Sequence, residues 1–225
     1  MGDLYVLLTQ RSMALKSFPG DTALPGGKAD KKDRSAEETA RREAFEEIGL
    51  PQDPLLVPHL CTLPPFLSAN NLLVTPVIVL ITSRALRPIL NTPEVARLFA
   101  HPLLAFLSQS APFSNAGEYH TLKDVLWASD PSSGPVRLHR FLTGREGEGI
   151  KPVFGLTAAI LIRAAEVGYG RKAEFDVEAE GQREMGDRIG HVLKGLGLRE
   201  EERVGRKWYL TMEKGENGRK GKAKL

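Results

Sequence analysis

Residues 24–50 read LPGGKADKKDRSAEETARREAFEEIGL, and this stretch predicts a turn followed by a helix. Ser35 and Glu38 have the S-x-x-E spacing of a capping box, which satisfies free backbone N–H groups at a helix start. Gly49 suits the end of the same helix, because glycine tolerates left-handed backbone angles. The preceding Pro25-Gly26-Gly27 is a turn whose backbone can approach a ligand closely.

The two faces of this helix differ in chemistry. At about 3.6 residues per turn, apolar side chains collect on one face, and three carboxylates collect on another: Glu43, Glu46 and Glu47. Each like-charged pair costs a helix roughly 0.2–0.5 kcal/mol, so helix stability does not explain the pattern. Two explanations are open, a solvated acidic face or a site for Mg²⁺ or Mn²⁺, which prefer oxygen ligands. Arg42 lies one turn before Glu46 and can hold its carboxylate, which favours the cation site.

The same residues resemble the signature of the Nudix hydrolase family, in which a glycine precedes R-E-U-x-E-E-x-G-U (U is a bulky aliphatic residue). Residues 42–50 read REAFEEIGL. The spacing from Gly27 to Arg42 is one residue longer than the general pattern, and Asp30 and Asp33 replace its early glutamate. Both departures resemble the coenzyme A subgroup of the family, whose box reads GG-x-x-D-x-x-D.

A second motif precedes the turn and supports the same subgroup. Residues 7–12 read LLTQRS, and Lys16, Gly20 and the LPGG of residues 24–27 follow. This pattern is similar to the L-L-T-x-R-S-x3-R-x3-G-x3-F-P-G-G motif of peroxisomal coenzyme A diphosphatases. Lysine stands for arginine at position 16 and leucine for phenylalanine at position 24, with every spacing kept.

The resemblance implies an α/β (α+β) Nudix fold, with a mixed β-sheet sandwiched between helices. Runs of apolar and β-favouring residues predict four strands: 3–9, 55–63, 72–82 and 136–141. Pro76 suggests an edge or bulge position in the third of these. Related proteins carry a further strand before the first one, which this sequence does not supply. We therefore expect either a missing first strand or an edge that is covered in another way.

Two more helices are predicted nearer the middle of the chain. Thr92 fits an N-cap and Pro93 a first helical position, so a short helix should begin there. An apolar helix should begin near Phe154 and reach about Val167, packed on the sheet. Residues 1–170 would then form the Nudix domain, and residues 171–225 a partly helical extension with a flexible tail.

Composition narrows the class of protein. The chain has 225 residues, 41% of them apolar, which suffices for a sizeable core. Its only cysteine, Cys61, excludes an internal disulfide and fits a reducing compartment. No apolar run approaches the length of a membrane span, and no histidine–cysteine spacing predicts a zinc site.

The positive charge of the chain comes from its end. Residues 199–225 contain nine basic and five acidic residues, a charge of +4, against +3 for the whole chain. A basic tail can bind nucleic acid or a membrane surface, but we expect a solvated tail and no nucleic-acid partner. The final Ala223-Lys224-Leu225 is similar to S-K-L import signals, which predicts binding to the peroxisomal import receptor and a location in the peroxisomal matrix.

The resemblance implies metal-dependent hydrolysis of coenzyme A or its acyl or oxidised derivatives into 3′,5′-ADP and (acyl-)4′-phosphopantetheine. Expected metal ligands for Mg²⁺ or Mn²⁺ are Glu43, Glu46, Glu47 and the main-chain carbonyl of Gly27. Glu43, Glu46 and Arg42 are the expected catalytic residues. Arg11, Ser12 and Lys16 are expected to bind the substrate.

The proton of the attacking water would pass to one of these glutamates or to Glu94, and the sequence does not decide between them. Glu94 would be an extra carboxylate at the metal site, or would only complement the start of the predicted helix. Two other functions stay open. One is a Nudix diphosphatase acting on NADH, a nucleoside diphosphate sugar or an mRNA cap, which the intact LLTQRS motif disfavours. The other is a catalytically silent domain that binds nucleic acid through the tail, which the three glutamates disfavour.

Overall fold

The elements of the fold follow from a computed structural model, which describes residues 3–83, 87–114, 117–126, 134–195, 198–200 and 210–212. The strands are β1 (Tyr5–Arg11), β2 (Thr22–Ala23), β3 (His59–Thr62), β4 (Phe66–Leu67), β5 (Leu73–Val74), β6 (Val77–Val79), β7 (Val95–Pro102), β8 (His120–Leu126), β9 (Pro135–Phe141), β10 (Val153–Phe154), β11 (Leu198–Glu200) and β12 (Leu210–Met212). The helices are α1 (Ala36–Ile48), α2 (Gly155–Tyr169) and α3 (Met185–Gly195), with 3-10 helices at Leu103–Leu107 and Glu146–Glu148.

One antiparallel sheet carries the residues of the candidate site. Its strand order is β2-β1-β7, and β1 pairs with β7 from Tyr5 to Arg11. On its other side β1 pairs with β2 at Thr9 and Gln10. The short strand β2 thus covers two residues of this edge of β1, and the expectation of a missing first strand stays a prediction.

The core lies between this sheet, a second antiparallel sheet and α2. The second sheet has the order β10-β9-β8. The side of α2 that faces the core carries Ala158, Leu161, Ile162 and Ala165, spaced at i, i+3, i+4 and i+7 and all buried. They join Leu8 of β1, Phe141 of β9 and Phe106 of the first 3-10 helix in one cluster. Full burial of side chains of this size stabilises the fold by about 1.5–3 kcal/mol each.

The α+β class is confirmed, but the expected mixed sheet is not found in the described part of the chain. Every strand pairing there is antiparallel. Parallel neighbours need a long crossover connection, usually a helix. Helix α1 is such a connection between β2 and β3, yet β3 pairs with β6 in a separate two-stranded sheet.

The prediction that a helix begins at Thr92 is wrong. Residues 92–94 form a turn, in which Glu94 N–H donates to the Asn91 carbonyl at 2.8 Å, and β7 follows directly. The short helix comes only after β7, at Leu103–Leu107. Pairing of β7 along the length of β1 supplies backbone hydrogen bonds that overrule the local N-cap pattern.

Two of the predicted strands are shorter than expected. Residues 54–56 form a turn, closed by Leu56 N–H donating to the Asp53 carbonyl at 3.1 Å, so β3 begins only at His59. The run 72–82 is divided into β5 and β6 on either side of Pro76. Proline has no N–H to donate to a ladder, which explains the break. The strand at 136–141 and the helix from Phe154 are confirmed, as β9 and α2.

The part of the extension that follows α2 packs on the main core. Phe175 and Val177 contact the core cluster, and Glu174 N–H donates to the Leu107 carbonyl at 2.8 Å. Helix α3 follows and buries Leu193. The domain boundary at residue 170 stays a prediction, and residues 223–225 lie outside the described residues. No helix of the described chain is both long and apolar enough to span a membrane.

Candidate active site

The predicted limits of α1, the helix that carries Glu43, Glu46 and Glu47, are confirmed. We call α1 the glutamate helix. The Ser35 hydroxyl accepts a hydrogen bond from Glu38 N–H at 3.2 Å, and Gly49 ends the helix with φ of 67°. The capping box is formed by one half only, because the Glu38 carboxylate accepts from Arg34 N–H at 2.7 Å instead of from Ser35. Both signals act within a few residues, which is why the sequence shows them.

Arg42 links the turn before the helix to two of the three glutamates. Its Nη1 donates to Glu43 Oε1 and to Glu46 Oε2, both at 3.0 Å. On its other side it donates from Nη2 to the Lys28 carbonyl at 2.8 Å and to Asp33 Oδ2 at 2.9 Å, with Nε 3.2 Å from Asp33 Oδ1. This fork geometry fixes the guanidinium and, through it, the two carboxylates.

Asp33 is a residue whose role the sequence did not reveal. Hydrogen bonds from Arg42 are the main reason that the pKa of Asp33 lies well below its usual range, with help from Asp30 N–H and the Thr39 hydroxyl. The GG-x-x-D-x-x-D pattern singled out both aspartates without separating them. The Asp30 carboxylate accepts from Lys32 N–H at 3.2 Å, whereas Asp33 is the aspartate bound to Arg42.

Glu47 is the buried member of the acidic face. Its side chain accepts a hydrogen bond from Gly26 N–H at 3.1 Å, and only 7% of the residue is exposed. Burial, more than any other cause, raises its pKa to about 7, and the nearby charges of Glu43 and Glu94 act in the same direction. Arg11 and the Gly26 hydrogen bond oppose this rise only in part.

The Gly27 backbone lies directly against Glu43. A Cβ atom at position 27 would collide with the Glu43 carboxylate, so a side chain there would displace that carboxylate. The expected main-chain ligand and one expected carboxylate ligand are therefore neighbours. Glu46 differs from them, because half of its side chain is exposed and its described partner is Arg42.

The turn at 91–94 brings the LLTQRS motif to the glutamates. The Glu94 carbonyl accepts from Ser12 N–H at 2.8 Å, and Asn91 N–H donates to the Glu47 carbonyl at 2.9 Å. The side chain of Glu94 is exposed, and its charge contributes to the raised pKa of Glu47. The charge of Arg11 lowers that pKa, so this guanidinium also lies within electrostatic reach of Glu47.

The three expected substrate-binding residues differ in their surroundings. Arg11 Nε donates to the Ser17 carbonyl at 3.4 Å. The Ser12 hydroxyl accepts from Ala14 N–H at 3.2 Å and so stabilises the turn after β1. Lys16 is exposed to solvent. Among these three residues, Arg11 is the one whose charge lowers the pKa of Glu47, so its side chain lies near the acidic face.

The residues present fit a divalent cation, although side-chain geometry alone does not form its cage. In the described ranges, no three histidine, cysteine, aspartate or glutamate side chains stand ready to hold a metal. Arg42 holds Glu43 and Glu46. Glu47, however, is a buried carboxylate whose charge is disfavoured by its neighbours. An all-oxygen set with excess negative charge is the environment that Mg²⁺ or Mn²⁺ neutralises.

Comparison with known proteins agrees with this site. The family model described as NUDIX domain matches residues 1–107. Nudix hydrolase 15, mitochondrial, of Arabidopsis thaliana is 41% identical over 77% of this chain and 56% of its own length. The chain thus spans about half the length of this plant relative. Peroxisomal coenzyme A diphosphatase 1 of Saccharomyces cerevisiae is 62% identical over 53 residues, 24% of this chain and 16% of that protein.

A bacterial relative is matched over most of its length. The protein called uncharacterized Nudix hydrolase NudL of Yersinia enterocolitica is 37% identical over 161 residues, which cover 72% of this chain and 72% of the relative. Together with the α+β architecture and the helix in which an arginine links two glutamates, these matches show that the chain belongs to the Nudix hydrolase family.

Proposed function

We propose that this protein hydrolyses the diphosphate linkage of coenzyme A, or of its acyl or oxidised derivatives, to 3′,5′-ADP and (acyl-)4′-phosphopantetheine. One observation carries the proposal. The LLTQRS motif, which resembles the coenzyme A subgroup, ends beside the acidic face, where Ser12 N–H donates to the main-chain carbonyl of Glu94 and the charge of Arg11 lowers the pKa of Glu47. A cationic side chain and a cluster of carboxylates thus lie together, as a reaction at a diphosphate requires.

The chemistry follows from charge. The negative oxygens of a diphosphate repel an attacking water, and a divalent cation would neutralise them and lower the pKa of that water. Glu43, Glu46, Glu47 and the Gly27 carbonyl would hold this cation. Arg42 keeps two of these carboxylates oriented. The catalytic roles fall to Glu43, Glu46 and Arg42 in this proposal.

Substrate binding falls to the loop after β1. Arg11 and Lys16 supply positive charge for the phosphates, and Ser12 stabilises the turn between them. The proton of the attacking water passes to Glu43, Glu46, Glu47 or Glu94. Glu47 has a pKa of about 7 without a cation, and a bound cation would lower it, which suits a metal ligand.

Similarity to named relatives supports the substrate class in part. The yeast relative is named a coenzyme A diphosphatase, and the likeness covers about a quarter of this chain. The plant relative, matched over more of the chain, has a name that gives no substrate. The coenzyme A class therefore rests mainly on the motif at residues 7–27.

Hydrolysis of coenzyme A by the purified full-length chain tests the proposal. The reaction would be run with Mg²⁺, with Mn²⁺ and with a chelator, and its products resolved by chromatography. We expect 3′,5′-ADP and 4′-phosphopantetheine only when metal is present. Activity on NADH, a nucleoside diphosphate sugar or a capped RNA, without activity on coenzyme A, would overturn the substrate class and keep the metal site. Salt-sensitive RNA binding with no hydrolysis of any substrate would overturn the proposal that the protein is an enzyme.

We also propose that the protein enters the peroxisomal matrix through Ala223, Lys224 and Leu225, recognised by the import receptor. The yeast relative is named as peroxisomal and the plant relative as mitochondrial, so the two printed locations differ. A fluorescent protein fused before residue 1, with and without the last three residues, separates these locations. Peroxisomal signal that disappears on deletion supports the proposal, and mitochondrial signal in both fusions contradicts it.

A further inference from the structure

The loop at residues 12–20 is closed at its base by backbone hydrogen bonds. We call this base, formed by Arg11 and residues 19–21, the neck of the loop. Arg11 N–H donates to the Asp21 carbonyl at 2.9 Å, and Gly20 N–H donates to the Arg11 carbonyl at 3.2 Å. The loop contains Ser12 and Lys16, two of the expected substrate-binding residues. The neck, together with the bond from Ser12 N–H to the Glu94 carbonyl, therefore positions this loop relative to the acidic face.

A lysine from a distant part of the chain is bound to this neck. Lys151 Nζ donates to Asp21 Oδ1 at 2.6 Å and to the Pro19 carbonyl at 2.8 Å. Lys151 and Asp21 are 130 residues apart in sequence. The Asp21 side chain is 14% exposed and that of Lys151 is 49% exposed. One ammonium group thus holds a side chain and the main chain of the neck at once.

The backbone around Lys151 is hydrogen-bonded to β1 and β2, the two strands that the loop connects. Gln10 Nε2 donates to the Gly149 carbonyl at 2.9 Å, and the Thr22 hydroxyl donates to the Lys151 carbonyl. Gly20 has φ of 71°, and its missing side chain leaves room for Met13 and Lys151. Segment 149–151 therefore contacts the end of β1, the start of β2 and the neck between them.

An exposed ion pair alone would contribute little to global stability. Lys151 differs from such a pair because its second bond is to a main-chain carbonyl inside the loop. Loss of this bond would loosen the loop, which keeps its backbone hydrogen bonds to Arg11, while the buried core of the protein stays intact. Freeing a binding loop weakens ligand binding, since the loop must then be ordered when the ligand binds.

We propose that Lys151 is a positioning residue: by holding Pro19 and Asp21, it fixes the loop at residues 12–20 so that Arg11 and Lys16 meet the phosphates of the substrate. The inference rests on the proposed function, because it gives this loop the task of binding the diphosphate. Lys151 acts through the loop and need not touch the reacting atoms.

Steady-state kinetics of three variants test this role. We expect Lys151→Met to raise KM for coenzyme A about tenfold and to change kcat by less than about twofold. Lys151→Arg keeps a cation with several donors and should restore most of the affinity. Lys172→Met is the matched control, since Lys172 is 83% exposed and pairs with Glu166 away from the loop.

Hydrogen exchange gives a readout that does not depend on activity. Lys151→Met should speed exchange of the amides of residues 11–21 and leave those of α1 unchanged. Unchanged KM, an arginine variant no better than the methionine variant, or exchange that increases throughout the core would each overturn the inference. If the wild type does not hydrolyse coenzyme A, the proposed function fails on that result alone. Binding of 3′,5′-ADP and hydrogen exchange of the loop then decide the role of Lys151. Weaker binding and faster loop exchange in Lys151→Met would support it, and equal binding with unchanged exchange would overturn it.

Discussion

The glutamate helix and the loop at residues 12–20 would bind the same substrate, but they are fixed in different ways. Arg42 orients Glu43 and Glu46 through contacts that all lie between Lys28 and Glu46. The loop is closed by backbone hydrogen bonds of its own and is held in addition by Lys151, 130 residues from Asp21. Local contacts leave a motif in the sequence, because their residues keep fixed spacings. Contacts between distant segments leave none.

This contrast predicts that changes in the helix affect the reaction step, whereas changes at the loop affect substrate binding. Three substitutions in and before the glutamate helix examine the reaction side, from the largest expected effect to the smallest, and a fourth, at His120, measures stability in acid away from both regions. The Lys151 variants described above supply the binding side of the comparison.

The largest effect is expected from Glu46→Gln. Loss of one carboxylate ligand should lower kcat about 10³-fold, because a bound cation contributes several kcal/mol of charge stabilisation in the transition state. The circular dichroism spectrum and the Tm should stay close to those of wild type, since half of the Glu46 side chain is exposed. Glu178→Gln, at an exposed position after α2, is the control. A Glu46→Gln variant with full Mg²⁺-dependent activity would contradict the metal assignment.

Gly27→Ala should come next. The new Cβ would collide with the Glu43 carboxylate, and a displacement of about 1 Å at a catalytic group can cost about 10²-fold in rate. Gly147→Ala is a matched control, because a Cβ there would meet no atom within 4 Å. Both rates would be measured at saturating substrate and metal. Equal kcat values for the two alanine variants would show that the close approach of Gly27 to Glu43 is not needed.

Asp33→Asn should lower kcat/KM by about 10- to 100-fold, the range typical for residues that orient metal ligands. The amide removes the negative charge that holds Arg42, so both Glu43 and Glu46 lose orientation. Asp30→Asn is a matched control on the same loop, because the Asp30 carboxylate accepts from Lys32 N–H and not from Arg42. Titration with Mn²⁺ would show weaker metal affinity in Asp33→Asn alone. The same loss in both variants would assign the effect to the loop as a whole.

The smallest effect concerns stability in acid and lies far from the glutamates. His120 Nε2 and His139 Nδ1 are 3.0 Å apart, and His139 Nε2 lies 2.9 Å from the Val177 carbonyl. These bonds join β8 and β9 to the segment after α2. Burial, helped by the charge of His139, lowers the pKa of His120 to about 4, whereas an unfolded histidine titrates near about 6.5.

In that window the unfolded state binds more protons than the folded one, so stability rises with pH and is lost as pH falls from about 6.5 to about 4. The loss should be on the order of 1–2 kcal/mol in free energy of unfolding. Urea unfolding at pH 7 and pH 5 measures it, and His120→Phe should reduce the dependence, to which His101 and His139, whose pKa values are also lowered by burial, contribute the rest. A pH dependence of the same size in His120→Phe and wild type would assign it to other groups.

Prediction from sequence succeeded where neighbours in the chain decide the structure. The limits of α1 follow from Ser35 and Gly49, whose hydrogen bonds reach only to the adjacent turn. It failed at Thr92 and Pro93, because pairing of β7 with β1 outweighs a local helix start. The 72–82 run was too long for a different, local reason, since Pro76 has no N–H to donate to a ladder.

The sequence by itself determined the family, the glutamate face of α1 and the reach of Arg42 to Glu46, because each depends on residues at fixed spacing along one helix. The folded turn before α1 separated Asp33 from Asp30, although both lie close to Arg42 in the sequence. Only the tertiary structure set Glu47 in a buried position beside Glu94 and joined Lys151 to the loop after β1. These features depend on which segments pack together. Burial and long-range pairing depend on the whole fold, and no local pattern of residues records them.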